Sequence, residues 1–197
     1  MSNKRKIHKT SVASGLPGES EWPKRMAKIA GVVLVLGLVA VVLVSQPEIR
    51  GVPDGTQQVA VASAEHVNGT IYAANEVPAG GAMDAIWQNC GFYDTQLRAE
   101  NAVHSMEHGA VWVAYDPNLG DGEISTLRRL VSRQEKVLVS PVAGQSSSVT
   151  VSAWGRQLQI DDLADTRLDQ FVNEFSGASS APESGGRCNG GVGSPSF

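Results

Sequence analysis

Hydrophobic positions along the chain fall into three kinds of pattern, each predicting a different element. From Ile29 to Val44 no polar side chain interrupts the run, so it has no wet face and does not read as a core helix. Glu123 to Arg133 instead places Ile124, Leu127, Leu130 and Val131 at helical spacing. Asp165 or Thr166 opens another helix through Phe175, with Leu168, Phe171 and Val172 inward and Gly177 beyond its end. Ser148 to Gly155 alternates with period two, the pattern of a strand with one buried face. Ala110 to Tyr115, Val137 to Val142 and Leu158 to Asp161 read as further strands, and a helix capped by Asp94 or Thr95 runs to Gly109. The expected fold class is therefore α+β: a single N-terminal transmembrane helix, then one small mixed-sheet domain with three helices packed on it. That element order is shared with thioredoxin-like arrangements, but the chain lacks Cys-x-x-Cys, so their redox chemistry does not follow.

The apolar run sets the domain organisation. Sixteen residues span about 24 Å as a helix, slightly less than the roughly 30 Å hydrocarbon core, and Lys28 can snorkel at one end. Residues 1–25 are then a basic cytoplasmic tail, 26–46 the membrane anchor and 47–58 a linker. Residues 59–177 form an extracytoplasmic α+β domain, and 178–197 a Gly/Ser-rich tail. A cleaved signal peptide is the alternative, although Leu-Val-Ser-Gln-Pro matches an Ala-x-Ala-like cleavage site poorly. The positive-inside rule orients the chain as a single-pass plasma membrane protein with its N-terminus in the cytoplasm.

Charge sharpens this picture. The net charge of −4 hides an asymmetry, because seven of the sixteen basic residues precede the apolar run along with only two of the twenty acidic ones. The rest of the chain is acidic, which argues against nucleic acid as a partner. In an oxidising compartment the two cysteines, Cys90 and Cys188, are expected to form a disulfide that closes a long loop and contributes about 2 to 4 kcal/mol. The alternative gives Cys90 a place in a soft-metal site.

The candidate chemistry lies in Glu100 to Gly109, Glu-Asn-Ala-Val-His-Ser-Met-Glu-His-Gly. On a helix, His104 and His108 share one face with Glu100 a turn earlier, and two imidazoles with a carboxylate suit a divalent metal. His-x-x-Glu-His is also the inverted zinc-protease pattern, in which Glu107 would activate a metal-bound water. A hydrogen-bonded His/Glu cluster with no metal is the structural alternative.

Cys90-Gly-x-Tyr93, the stretch from Glu100 through His104, His108 and Gly109 to Trp112, Ser140-Pro141, Ala153-Trp154-Gly-Arg-Gln-Leu158, and Pro182-Glu183 with Cys188 resemble the bacterial family known as domain of unknown function 3105. The resemblance runs from about Val59 to Gly193 and implies a membrane-tethered extracytoplasmic domain without an established activity. Relatives carry a Pro-rich loop ending in Ser-Gly-Pro-His ahead of the cysteine. This chain has Ala79-Gly-Gly-Ala-Met83 there. If the loop histidine is a ligand in relatives, Met83 takes its place, and a thioether favours copper over zinc. The expected function is thus transition-metal binding through His104, His108, Met83 and Glu100, with copper ahead of zinc and a metal donor or acceptor protein as partner. A docking scaffold and a small zinc hydrolase using Glu107, with Glu174 or Glu183 as its third ligand, are the alternatives.

Overall fold

Alternation along the central strands divides the domain into two differently built faces. A computed structural model describes residues 51–196. The expected cytoplasmic tail and anchor lie outside the described residues. Among the described residues no helix is long and apolar enough to cross a membrane.

The elements are β1 (Gln57–Gln58), β2 (Gly91–Phe92), α1 (Ala99–Glu107), β3 (Val111–Tyr115), α2 (Asp121–Ser132), β4 (Val137–Pro141), β5 (Val149–Ala153), β6 (Arg156–Ile160) and α3 (Arg167–Phe175). Six strands form one mixed sheet in the order β1-β6-β5-β3-β4-β2. Strands β2, β4 and β3 are parallel, whereas β5 runs antiparallel to β3, β6 to β5 and β1 to β6. The expected α+β class with one mixed sheet and three helices is what the described residues form.

Because successive strand side chains point to opposite faces, Val111, Val113, Val137, Val139, Val149 and Val151 line one face. They meet Leu127 and Leu130 of α2 and Leu168, Phe171, Val172 and Phe175 of α3. Trp112, Ala114 and Leu138 line the other face, with Ala102, Val103 and Met106 of α1 and with Met83 and Tyr93. Helix α1 is unlike the other two, since every residue from Glu100 to Glu107 is buried.

Helix α1 starts later than the sequence predicts, with Arg98 rather than Asp94 or Thr95 at its N-cap. Its end is where glycine places it. Gly109 has φ +89°, the Gly109 N–H donates to the Met106 carbonyl and the Ala110 N–H to the Ser105 carbonyl. This paired arrangement closes a helix on a left-handed residue and lets β3 begin two positions later.

The expected linker is docked from Gly51 onward. The Gly51 N–H donates to Glu174 at 2.8 Å, and β1 adds a strand to the sheet edge. The C-terminal tail is likewise held by more than its disulfide. Cys90 and Cys188 are bonded, with Cα atoms 5.3 Å apart. Beside them, backbone hydrogen bonds join Asn89 to Val192, Val192 to Trp87 and Ser196 to Phe92.

Candidate metal centre

The site is built from α1 outward. His104, Glu107 and His108 sit at i, i+3 and i+4, so they share a face one turn high. His104 is 5% exposed, Glu107 8% and His108 5%. A third histidine arrives from a distant segment. His66 pairs with Met83 through a parallel β-bridge, in which the Met83 N–H donates to the Glu65 carbonyl at 2.9 Å and the Val67 N–H to the Met83 carbonyl at 2.7 Å. This places the exposed His66 ring 5.1 Å from the His104 ring, centroid to centroid. His66, His104 and Glu107 each offer a ligand atom, all within 4.8 Å of one another. Two imidazoles and a carboxylate thus stand within reach of a single ion.

Second partners orient the rings. His104 Nδ1 lies 2.7 Å from the Asp84 carbonyl oxygen, and a carbonyl only accepts, so Nδ1 carries the proton and Nε2 keeps its lone pair. His108 repeats the arrangement, with Nδ1 2.8 Å from the Arg187 carbonyl. Its Nε2 faces a Glu183 carboxylate oxygen at 3.6 Å. Trp87 walls both rings, 5.7 Å from His104 and 5.0 Å from His108 between centroids. Gly186 lies against the far side of His108, where a Cβ would fall 2.4 Å from the His108 Cγ. Only glycine admits that approach. Lys136 Nζ donates to the carbonyls of His108 and Ser184, tying the end of α1 to the tail.

The electrostatics follow from burial. Desolvation holds the His104 imidazole below the ordinary histidine range, reinforced by the neighbouring His108 and His66 and partly opposed by the Asp84 hydrogen bond and by Glu183. Burial pushes the Glu107 carboxyl up, Glu183 pushes it further, and His66 and His108 pull it back. A neutral imidazole is the form that ligates, and a carboxyl that ionises reluctantly gains more from a cation beside it.

Glu100, expected as a ligand, is engaged elsewhere. Its Oε1 accepts the Ile71 N–H at 2.7 Å and the Tyr72 N–H at 3.3 Å, and its Oε2 lies 3.4 Å from Arg98 Nε. Burial works to raise its pKa, but these amides and Arg98 outweigh it and hold the carboxyl below its ordinary range. It anchors the 69–72 loop to α1. Met83 has no exposed surface and packs in the apolar cluster under α1, beside His66 through the bridge. The structure therefore gathers His104, His108 and Glu107, keeps Met83 adjacent and sets Glu100 apart. It also adds His66, which the helical pattern could not reveal, and brings Glu183, one of the two third ligands open to the hydrolase reading, beside His108. One signal was available: His66, His104 and His108 are all the histidines after residue 50, and all three converge here.

These features define a small α+β domain carrying a His/His/Glu cluster of metal-ligand geometry. The chain belongs to the family described as "Protein of unknown function (DUF3105)", whose model matches residues 66–190. No curated protein and no solved structure matches it.

Proposed function

We propose that this domain binds a transition-metal ion through His66, His104 Nε2 and Glu107. The observation that carries this reading is the mutual proximity of the three ligand atoms, joined to a His104 ring whose hydrogen bond to Asp84 leaves Nε2 free. Among the described residues no hydrogen bond or ion pair engages the Glu107 carboxylate. Its carboxylate is therefore available to an ion, and a Glu107 that stands among the ligands rather than behind them disfavours its use as the base of a zinc hydrolase.

Copper is favoured over zinc because divalent copper binds such nitrogen and oxygen donor sets more tightly; Met83 is joined to His66 through the backbone bridge, and its buried side chain packs in the apolar cluster. The strand order supports a thioredoxin-like arrangement: parallel β2, β4 and β3, continued by antiparallel β5 and β6, with helices on both faces. The disulfide and the apolar run at residues 29–44 support a membrane-anchored, extracytoplasmic domain, where a protein donating or accepting the metal is the fitting partner.

The full chain, stripped with chelator and equilibrated separately with copper(II) and zinc(II), is expected to retain copper in elemental analysis. The His66→Ala/His104→Ala variant should bind at least one equivalent less. Unchanged stoichiometry in that variant, or no metal in the parent, overturns the reading.

A further inference from the structure

The tail that passes the end of α1 also walls a cavity of about 540 Å³, lined by Cys90, Glu135, Lys136 and the run from Gly185 to Asn189. Both cysteines of the disulfide belong to that lining, each half-buried. Two cations stand beside them. Arg187 is exposed, and among the described residues no hydrogen bond or ion pair engages its guanidinium. Lys136 Nζ donates to the His108 and Ser184 carbonyls and keeps a third N–H. Among the described residues, the backbone N–H groups of Gly185, Arg187, Cys188 and Asn189 are also without a partner. Glu135 is the one carboxylate in the lining, and it is exposed. The bond itself is not what pins the tail. On one side of Cys188 the Glu183 N–H donates to the Glu107 carbonyl at 2.9 Å, on the other the Val192 N–H to the Trp87 carbonyl at 2.9 Å, and the Cys90 N–H reaches the Cys188 carbonyl at 2.8 Å. These contacts keep the two sulfurs opposed when the bond opens.

We propose that the Cys90–Cys188 disulfide is a thiol-exchange site for a small thiol of net negative charge. The thiolate is the nucleophile in such exchange, and its rate depends on access to a sulfur and on how well the departing thiolate is stabilised. The cavity supplies the access. Arg187, Lys136 and the unpartnered amides supply the stabilisation, and they draw in a molecule that carries an anionic group besides its sulfur. Cys188 is the sulfur attacked, because it lies within the tail run that forms most of the wall, whereas Cys90 is the only residue of its own segment there. The incoming thiolate forms a bond to Cys188 Sγ as the bond to Cys90 breaks. The electron pair of the broken bond leaves on Cys90 Sγ, which takes a proton from water. Return attack by Cys90 expels the small thiol and restores the disulfide without net redox change. A second small thiol attacking the adduct instead completes the reduction, and the two small thiols depart as their own disulfide.

The experiment uses the chelator-stripped full chain, so its outcome is independent of the metal-binding reading and of metal-catalysed thiol oxidation. The folded protein is treated at low ionic strength with mercaptoethanesulfonate, mercaptoethanol or cysteamine, trapped with iodoacetamide and mapped by mass spectrometry. Each rate is divided by that thiol's rate toward a small uncharged disulfide, which removes differences in intrinsic nucleophilicity. The adduct is expected on Cys188 and the alkyl group on Cys90, with the anionic thiol about tenfold ahead of the cationic one and the gap closing as salt is added. The net charge of −4 by itself favours the opposite order, so an anionic lead reads the local cations. Arg187→Gln, an exposed change that keeps the backbone carbonyl bonded to His108, should cut that lead several-fold. Absence of any adduct, an adduct on Cys90 instead, equal rates, a lead for cysteamine, or an anionic lead untouched by Arg187→Gln each overturns the proposal.

Discussion

The two faces of the sheet are made from the same strands and differ in nearly everything else. The face covered by α2 and α3 is a continuous apolar core from Phe92 through Phe175. The face covered by α1 holds buried Gln88, Glu100, Asn101, His104, Ser105, Glu107 and His108. Ser140, Thr150 and Ser152 join it, because they alternate with valines that point the other way. Burying polar groups is costly unless each is satisfied, and most here are: Trp112 Nε1 donates to Ser140, Asn101 to the Ile86 carbonyl, and Ser105 to the Gln88 carbonyl. One face supplies stability, and the other uses it to hold a charged cluster in fixed geometry.

The largest expected effect tests that division directly. Phe171 has no exposed surface and packs against Phe175 with tilted rings 4.6 Å apart between centroids, so Phe171→Ala should lower stability by about 3 to 5 kcal/mol through lost burial and a residual cavity. Urea unfolding of the metal-free protein measures it. Metal stoichiometry at low temperature should be unchanged, since no metal-site residue touches that core. Loss of metal in a folded Phe171→Ala protein would break the separation between faces.

The apolar face was largely legible in the sequence, and the polar face only in part. Period-two alternation in β5 and helical spacing in α2 and α3 follow from one-sided burial, so Val149, Val151, Leu127 and Phe171 announce their own orientation. β1 is two glutamines and β2 a Gly-Phe pair; elements this short have no period to read, and neighbouring strands rather than their own pattern define them. In the site, the face shared by His104, Glu107 and His108 is a property of one helix and could be seen. His66 and Glu183 reach it through backbone pairing with Met83 and Glu107, and such pairing leaves no local trace. Glu100 shows the converse. Its position one turn before His104 reads as a ligand, and only the loop folded over it shows that its oxygens are already taken by Ile71 and Tyr72.

A smaller effect is expected at Glu100. Glu100→Ala strands two loop amides and should cost about 1 to 3 kcal/mol, yet keep the metal count. A lost equivalent would return Glu100 to the ligand set. The pH dependence has a definite sign. The folded-state pKa of Glu100 is depressed, so its contribution is present above the ordinary carboxylate range and disappears as pH falls through that range towards the folded value. Glu100→Gln should therefore flatten the acid limb of a stability-against-pH curve, and an unchanged limb would assign acid sensitivity to other groups.

The smallest expected change reverses direction. In the metal-free protein Glu107 is held near Glu183 with a folded-state pKa raised above its unfolded one. Its proton is favoured in the folded state, so its contribution is full below the ordinary carboxylate range and is lost as pH rises through the raised value. Above that value, ionised Glu107 opposes folding. Glu107→Gln should then raise the thermal midpoint of the metal-free protein at neutral pH by a small increment while weakening metal retention, a stabilising substitution that damages the site. Metal added to the parent should raise its midpoint by mass action, and more than the same metal raises that of the glutamine variant. If Glu107→Gln instead destabilises the metal-free protein, the carboxylate contributes to the fold as the valines opposite do, and the polar face is not where the domain stores a cost for function.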